Sequence, residues 1–496
     1  MDKVIKFLKI HPLLASCLIY LYLASVFIPM YQYQINPDAI SYIGLAEKLI
    51  NLEFKNFVNG VWGPLYPILL SPFLALNIPP FLSARLLGII LGTATLVAEY
   101  KIATRLTKNR MSIFLVLAAS VILILHYSIS LVTPDLLLLL LLLTYLYFVS
   151  KPGRRYLFFA PAVAALAYFA KSYALPFFLV HFALTNLVLG FKFRGKIQDT
   201  ALRIFLGYII FFAIVGPWIY LLSQKYGHLT FTTAFSHNLA LQGPNAQVIN
   251  EKHLIPPPNP TATSILEDVT YLPNYIPLEN WSPFSSFALF KHQIKTIMVN
   301  TYHLLLLVAK NFPLIFLILA LMVVSFLKNP KKTPQNIILA TIFLYPLGYL
   351  IFHIEERYLW PSIILIVISQ VKLFEAKKIN YFVAVVFLAG FAISPAKNLL
   401  TYKNLGQEIY IESKTLREEY PTMGKRFASN DQRVASTFIV YYLKGQYWGL
   451  SENPQELLES KIDYYFSWGE KVPFFRYQKV IYTGLPNLKI YRLNRN

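Results

Sequence analysis

The stretch QYQINPDAISYIGLAEKLINLEFKNFVNGVWGPLYP, residues 32–67, decides how the rest of the chain is read. An apolar run of membrane length precedes it and a second apolar segment follows. Between them stands one aspartate, Asp38, at the head of a periodic segment. Ile40, Ile43, Leu45, Ala46, Leu49 and Ile50 recur at roughly helical spacing, which predicts a helix over 39–50. Residues 64–77 are apolar but short and broken by three prolines. Both segments suit helices lying at a membrane interface rather than crossing it.

Composition makes the membrane the frame for the whole chain. Of 496 residues, 56% are hydrophobic and only 14% charged, with mean hydropathy +0.50, where a soluble domain carries roughly 25% charged residues. Apolar runs long enough to span a bilayer recur, and we read about eleven of them. They fall at 12–30, 81–104, 111–128, 134–150, 156–170, 173–190, 203–222, 308–327, 336–353, 358–374 and 380–396. The single cysteine, Cys17, lies in the first run, so neither an intrachain disulfide nor a cysteine metal site is available. That first run lacks a small-residue cleavage site and reads as an uncleaved signal anchor.

The net charge of +21 is distributed by topology. Basic clusters at Lys3/Lys6/Lys9, Arg105/Lys108/Arg110, Lys151/Arg154/Arg155, Lys192/Arg194/Lys196, Lys328/Lys331/Lys332 and Lys372/Lys377/Lys378 all fall on one side of the spans. Short Lys/Arg-rich loops stay cytoplasmic, so the N-terminus is placed inside. Outside then lie the loops 31–80 and 223–307, turns near Lys171 and 353–357, and the tail 397–496. Scattered basic turns are not a nucleic-acid module; attraction to anionic inner-leaflet lipid accounts for them more simply. In the tail, 397–420 reads as polar helix. The runs at 433–443, 462–466, 479–483 and 488–493 read as strands. The expected fold is an all-α polytopic membrane domain over 1–396 and a small extracytoplasmic α/β domain over 397–496.

Ionisable groups at membrane depth are functional candidates, because their burial costs a few kcal/mol. Asp135 follows Pro134 at the start of a leucine run; locally, the dipole of a helix N-terminus accounts for it equally well. Lys171, in YFAKSYALP, and Arg85 can each be read as snorkelling side chains. HIEERYLWP puts His353, Glu355, Glu356 and Arg357 at one outer turn, where a salt-bridged turn is the plain alternative. The charge-derived topology nevertheless brings all of these to one face. Carboxylates and cations gathered there suit an anionic lipid-linked donor: Lys and Arg bind phosphate oxygens, and a carboxylate takes a proton from an attacking hydroxyl.

The order of these segments resembles the GT-C fold of membrane glycosyltransferases, close to the protein O-mannosyltransferase and aminoarabinose (lipid A) transferase branch. The matching pieces are PDAISYIGLAEKLI, WGPLYPILLSPF, LSARLLGIILGTATLVAEYKIATRL, TPDLLLLLLLL, YFAKSYALP, EERYLWP and, in the tail, ASTFIVYYLKGQYWG. The resemblance implies a plasma-membrane enzyme that moves a monosaccharide from a polyprenyl-phosphate donor to a lipid, glycan or protein hydroxyl, with inversion. It implies Asp38 as the catalytic carboxylate with Asp135 beside it. Lys171, Arg357 and Arg85 become donor-phosphate ligands, and Tyr42, His353, Glu355 and Glu356 substrate contacts. No cofactor is required, although Asp38 and Asp135 could share a divalent cation. Two features depart from relatives: Asp38 is followed by Ala39 where protein mannosyltransferases carry Asp-Glu, and Trp468-Gly469-Glu470 does not match the oligosaccharyltransferase WWD signature.

Two other classes compete. A transporter or flippase places its charges near the midplane and shows inverted repeats, neither of which is evident here. A non-catalytic assembly subunit that keeps the fold would be distinguished by indifference to loss of Asp38. The outer-loop histidines His228, His237, His253 and His292 show no ligand spacing and read as ordinary loop residues.

Overall fold

The computed structural model describes residues 7–8, 10–33, 36–151, 154–192, 196–244, 253–270, 281–328, 333–375, 381–421, 423, 425–469 and 477–493. Lys3, Lys6, Lys9, Arg194, Lys331, Lys332, Lys377, Lys378 and Glu470, which entered the sequence reading, lie outside the described residues.

Among the described residues, six helices are long and apolar enough to cross a bilayer: Pro12–Tyr31, Pro80–Leu106, Arg110–Ile129, Ile197–Tyr226, Pro334–Ile351 and Ala384–Thr401. Asp135–Val149, Phe158–Ala170 and Ala174–Gly190 are shorter apolar helices. This is a multi-pass membrane protein. The helix Asp135–Val149 is leucine nearly all round and is buried accordingly, with Leu136 to Leu139, Leu142 and Leu143 in the core. Ile197–Tyr226 stops at Gly227, whose φ of +76° gives the left-handed C-terminal cap that glycine adopts without strain.

Two expected spans are corrected by the structure. In place of one helix over 308–327 there are two, Phe287–Asn311 and Ile315–Lys328, bent by 106° at their junction. Pro313 lies in the break. It lacks an N–H and disfavours helix at the residue before it, and Phe312 is indeed non-helical at φ −141° and ψ 70°. Much of the first limb had been assigned to the outer loop because Lys291, Lys295 and Asn300 interrupt its apolar run. The span expected over 358–374 is also divided, into Trp360–Ser369 and Val371–Glu375, where Gln370 N bonds back to Val367 O in a tightened last turn.

The bundle has two chemically different ends. At one, Arg105 donates to Tyr147 O at 3.1 Å and to Ser150 Oγ at 2.5 Å, Lys151 Nζ donates to Tyr147 Oη at 2.6 Å, and Arg110 donates to Ile10 O at 2.6 Å. At the other end lie the loops carrying Asp38, Asp135, Lys171 and Arg357. The helix Pro80–Leu106 links the two ends over about 40 Å at 1.5 Å per residue.

The tail forms a five-stranded mixed sheet, β1 (Arg426–Ser429), β2 (Gln446–Leu450), β3 (Tyr464–Trp468), β4 (Tyr477–Tyr482) and β5 (Leu488–Leu493), in the order β2-β1-β3-β5-β4. β1 is parallel to β2 and β3, and β5 is antiparallel to β3 and β4. Residues 433–443, read as a strand from their β-branched and aromatic content, are instead the helix Arg433–Tyr442. Tertiary packing overrides propensity there. Ile439 and Val440 join the sheet's core, while Phe438, Tyr441 and Tyr442 meet Phe81 at 6.0–6.2 Å between ring centroids. This helix is the wedge between the sheet and the membrane bundle.

The segment 253–270 ties the sheet to the bundle. Ile255 N donates to Trp448 O at 2.6 Å and Tyr447 N to Thr263 O at 2.7 Å, so the segment covers the edge at β2. Beyond it, Leu266 O accepts from Ser41 Oγ at 3.1 Å and from Trp62 Nε1 at 3.0 Å, and Glu267 O accepts from Asn59 Nδ2 at 2.7 Å. Lys48 and Glu267 form a fully buried ion pair. Gly44 makes the approach possible, because a Cβ there would sit 3.0 Å from Glu267 Oε2. Burial raises the Glu267 carboxyl to about 7, against the opposing pull of Lys48.

A carboxyl held above its free-chain value favours the folded state most when protonated. That contribution is complete below about pH 4.5 and is lost as pH rises through about 7. Glu267→Gln removes the titration. Its apparent melting temperature in detergent, compared with wild type, is therefore expected to rise between pH 4.5 and 7.5. A difference that stays constant across that range would contradict the burial argument.

Candidate active site

Two carboxylates reach the site on helix N-termini. Pro37 begins the helix Pro37–Ile50, putting Asp38 in its first turn, and Pro134 precedes Asp135–Val149. Proline pre-sets φ for the first helical turn, and the dipole favours acidic groups there. One amide joins the two starts. Asn36 Oδ1 accepts from Val132 N at 3.0 Å, and Asn36 Nδ2 donates to Val132 O at 3.4 Å.

Arg357 closes the arrangement. Its Nη1 donates to Asp38 Oδ2 at 2.5 Å, and its Nε lies 3.9 Å from Asp135 Oδ2. Nε also lies 2.7 Å from Glu355 Oε2 without hydrogen-bond alignment, while Nη2 donates to Glu355 Oε1 at 3.3 Å. Lys171 Nζ donates to Asp135 Oδ1 at 2.7 Å and sits 4.1 Å from the centroid of the Tyr358 ring. Tyr358 stacks on Tyr349 at 4.4 Å, which gives the cations an aromatic floor. His353 Nε2 is 3.2 Å from both Glu355 Oε1 and Tyr358 Oη.

The electrostatics follow from this packing. Burial alone would lower the Arg357 guanidinium, but Asp135 and Asp38 outweigh it and hold the group above its ordinary range. Burial lowers the Lys171 ammonium; Asp135 opposes that shift and the positive charge of Arg357 adds to it. Burial would raise Glu355, but its hydrogen bond with His353 and its contact with Arg357 bring it down to about 2. The carboxylates around them thus oppose the effect of burial on both cations.

These groups line a cavity of about 960 Å³. Asp38, Asp135, Lys171, His353, Glu355 and Arg357 all face it, as does Tyr42, whose ring meets Trp62 and Tyr66 edge-on at 5.1 and 5.4 Å.

Residues 62–221 match the family model for dolichyl-phosphate-mannose-protein mannosyltransferase. Solved structures match over nearly the whole chain. ArnT from Cupriavidus metallidurans in the apo state is 12% identical, with a TM-score of 0.57 over 96% of this chain and 98% of its own. The same protein bound to undecaprenyl phosphate gives 12% and 0.58 over 96% and 97%. The chain has the GT-C fold of membrane glycosyltransferases. The Archaeoglobus fulgidus oligosaccharyltransferase in complex with Zn and sulfate is 11% identical, with a TM-score of 0.56 over 92% of this chain and 67% of its own. Among curated proteins, none matches by sequence. The resemblance to the O-mannosyltransferase and aminoarabinose-transferase branch is borne out.

Within this GT-C fold, two expected site residues fall elsewhere. Arg85 does not line the cavity; it is fully buried and donates through Nε to Tyr31 O at 3.1 Å. Its position near the start of Pro80–Leu106 was legible, but its burial beneath the outer helices was not. Glu356 also points away, 3.3 Å from Asn311 Nδ2, because consecutive side chains of the short 3₁₀ turn Glu356–Leu359 project about 120° apart. Conversely, two outer-loop histidines read as ordinary, His228 and His237, do line the cavity. No local spacing signalled them, since a loop distant in sequence brings them there.

A divalent cation shared by Asp38 and Asp135 fits these residues poorly. Arg357 reaches toward both carboxylates and Lys171 occupies the second oxygen of Asp135. Among the described residues, no group of three His, Cys, Asp or Glu converges as a metal cage.

Asn36 sets the spacing of the two aspartates. Asn36→Ala leaves the Val132 backbone groups unpartnered and is expected to destabilise the protein by about 1–3 kcal/mol. The change should appear as earlier thermal unfolding in detergent. Unchanged unfolding would remove the clamp from the account.

Proposed function

We propose that the protein transfers a monosaccharide from a polyprenyl-phosphate-linked donor to a hydroxyl acceptor at the outer face of the plasma membrane, with inversion at the anomeric carbon. The observation that carries this reading is the meeting of Asp38, Asp135, Lys171 and Arg357 on one cavity at the end of the bundle opposite the basic turns. The family model and the fold support glycosyl transfer from a lipid-linked donor. The undecaprenyl phosphate bound by ArnT and the dolichol-phosphate bound by the Archaeoglobus fulgidus enzyme AglB support the chemical class of the carrier.

In this mechanism the donor phosphate enters among Lys171 and Arg357. A guanidinium held by two carboxylates is exchanged in part for phosphate oxygens, which frees Asp38 Oδ2 to accept a proton. The acceptor oxygen attacks the anomeric carbon, the bond from that carbon to the phosphate oxygen breaks, and the hydroxyl proton passes to Asp38. Polyprenyl phosphate leaves with the bonding electrons, its negative charge met by Lys171 and Arg357. Asp135 holds Lys171 in place through the 2.7 Å bond. The segment 253–270, which lines the cavity through Leu266 and Val269, and the C-terminal sheet whose edge it covers are assigned to the acceptor.

The test is transfer by detergent-purified protein from radiolabelled polyprenyl-phosphate sugars to native membrane extract. Asp38→Asn is expected to lower turnover by about 10²–10⁴-fold while leaving donor binding intact. Wild-type turnover in Asp38→Asn would sink the base assignment. Lys171→Ala and Arg357→Ala should each weaken binding of the phosphate carrier by about tenfold or more, the loss of a charge-assisted hydrogen bond. Unchanged carrier affinity in either variant would remove that residue from the phosphate site.

A further inference from the structure

The cavity has two walls of different chemistry. One holds the three carboxylates and two cations described above, each engaged with another. Another part of the lining is the helix Ala234–Ala240, where Ala234, Phe235, Ser236, His237 and Asn238, with Leu241 just after it, all line the cavity.

This helix is fixed from outside the cavity. Thr233 N donates to Gly60 O at 2.9 Å, Trp281 Nε1 to Leu239 O at 2.7 Å and His292 Nε2 to Gln242 O at 2.7 Å. Among its polar side chains lining the cavity, Ser236 Oγ donates to Thr233 O at 3.0 Å, and the other two are treated differently. Half-buried His237 and Asn238 have no side-chain hydrogen bond among the described residues. Burial lowers the His237 imidazole below the usual histidine range, so it is neutral at pH 7 and offers one donor and one acceptor. Asn238 offers an amide donor and a carbonyl acceptor. Unpartnered polar groups in a cavity lined mainly by apolar surface are what orient a polar ligand and make a missing partner costly.

The complement of such a face is a set of hydroxyls. An ammonium-bearing sugar calls for a carboxylate; in the mechanism above only Asp38 is released, at the anomeric carbon, while Asp135 stays with Lys171 and Glu355 with Arg357 and His353. We propose that the helix Ala234–Ala240 reads the transferred sugar through His237 and Asn238, and that this sugar is an uncharged polyol ring without an amino group. The inference rests on the glycosyltransferase reading above and deepens it by naming the sugar class and the residues that select it.

Binding and turnover are measured separately on the same purified preparations. Three lipids are compared on one polyprenyl phosphate: an uncharged hexosyl donor, a 4-amino-pentosyl donor, and the carrier without sugar. Wild type is expected to bind the hexosyl donor about tenfold more tightly than the aminopentosyl donor. His237→Ala and Asn238→Ala should each weaken the hexosyl donor about tenfold, with His237→Gln restoring part of the loss. Affinity for the sugar-free carrier should stay unchanged in all three variants, which a general structural defect would not allow. Equal or tighter binding of the aminopentosyl donor overturns the sugar class. Loss of hexosyl and sugar-free binding in parallel overturns the role of the helix. Absence of turnover with sugar-selective binding intact would overturn the reaction proposed above and leave the recognition face standing.

Discussion

Everything at the functional end of this protein depends on one guanidinium. Arg357 touches Asp38, which lies 319 positions away in the chain, and reaches toward Asp135. The first turns of two separate helices therefore share a single counter-charge. Remove it, and the two carboxylates, with only Lys171 between them, would repel across a partly desolvated cavity. The aromatic floor of Tyr349 and Tyr358, the clamp at Asn36 and the burial of Lys171 all hold this one arrangement in register. An ion pair at such a depth is weak evidence for stability, since desolvation offsets much of its attraction. Its retention makes better sense as a charge lattice that a phosphate can enter.

The wall formed by the helix Ala234–Ala240 works by a different principle. There His237 and Asn238 have no side-chain hydrogen bond among the described residues. A cavity with matched ions on one side and unmatched neutral donors and acceptors on the other can orient a ligand that is anionic at one end and hydroxylated at the other. A sugar phosphate has that polarity. The two walls come from segments about 60 to 200 residues apart, and packing through Gly60, Trp62 and Leu266 brings them together.

The sequence carried the site further than it carried the helices. Asp38, Asp135, Lys171 and Arg357 were legible because an ionisable residue beside a long apolar run is costly, and a topology inferred from basic turns put all four on one face. Tyr42, His353 and Glu355 followed as neighbours of those residues. Arg85 and Glu356 were misplaced because position along a chain does not report which way a side chain faces. His237 and Asn238 carried no signal, since their chemistry exists only once a loop folds across the cavity. The same limit produced the strand expected at 433–443. Valine, isoleucine and tyrosine favour strands on average, but here they wedge a helix between a sheet and a membrane bundle. Pro313, by contrast, was a readable break that hydropathy averaging smoothed over.

The segment 253–270 has a consequence for how such a protein can change. It lies on the edge of the C-terminal sheet at one end and forms part of the cavity wall, through Leu266 and Val269, at the other. The outer unit is thus not a detachable module. A chain that exchanged its tail for another would uncover the flank of its own cavity unless the distant loop were exchanged as well. Divergence in the soluble part and in the pocket must therefore proceed together, as a coupled inheritance of two regions that the linear order of the gene keeps about 180 codons apart.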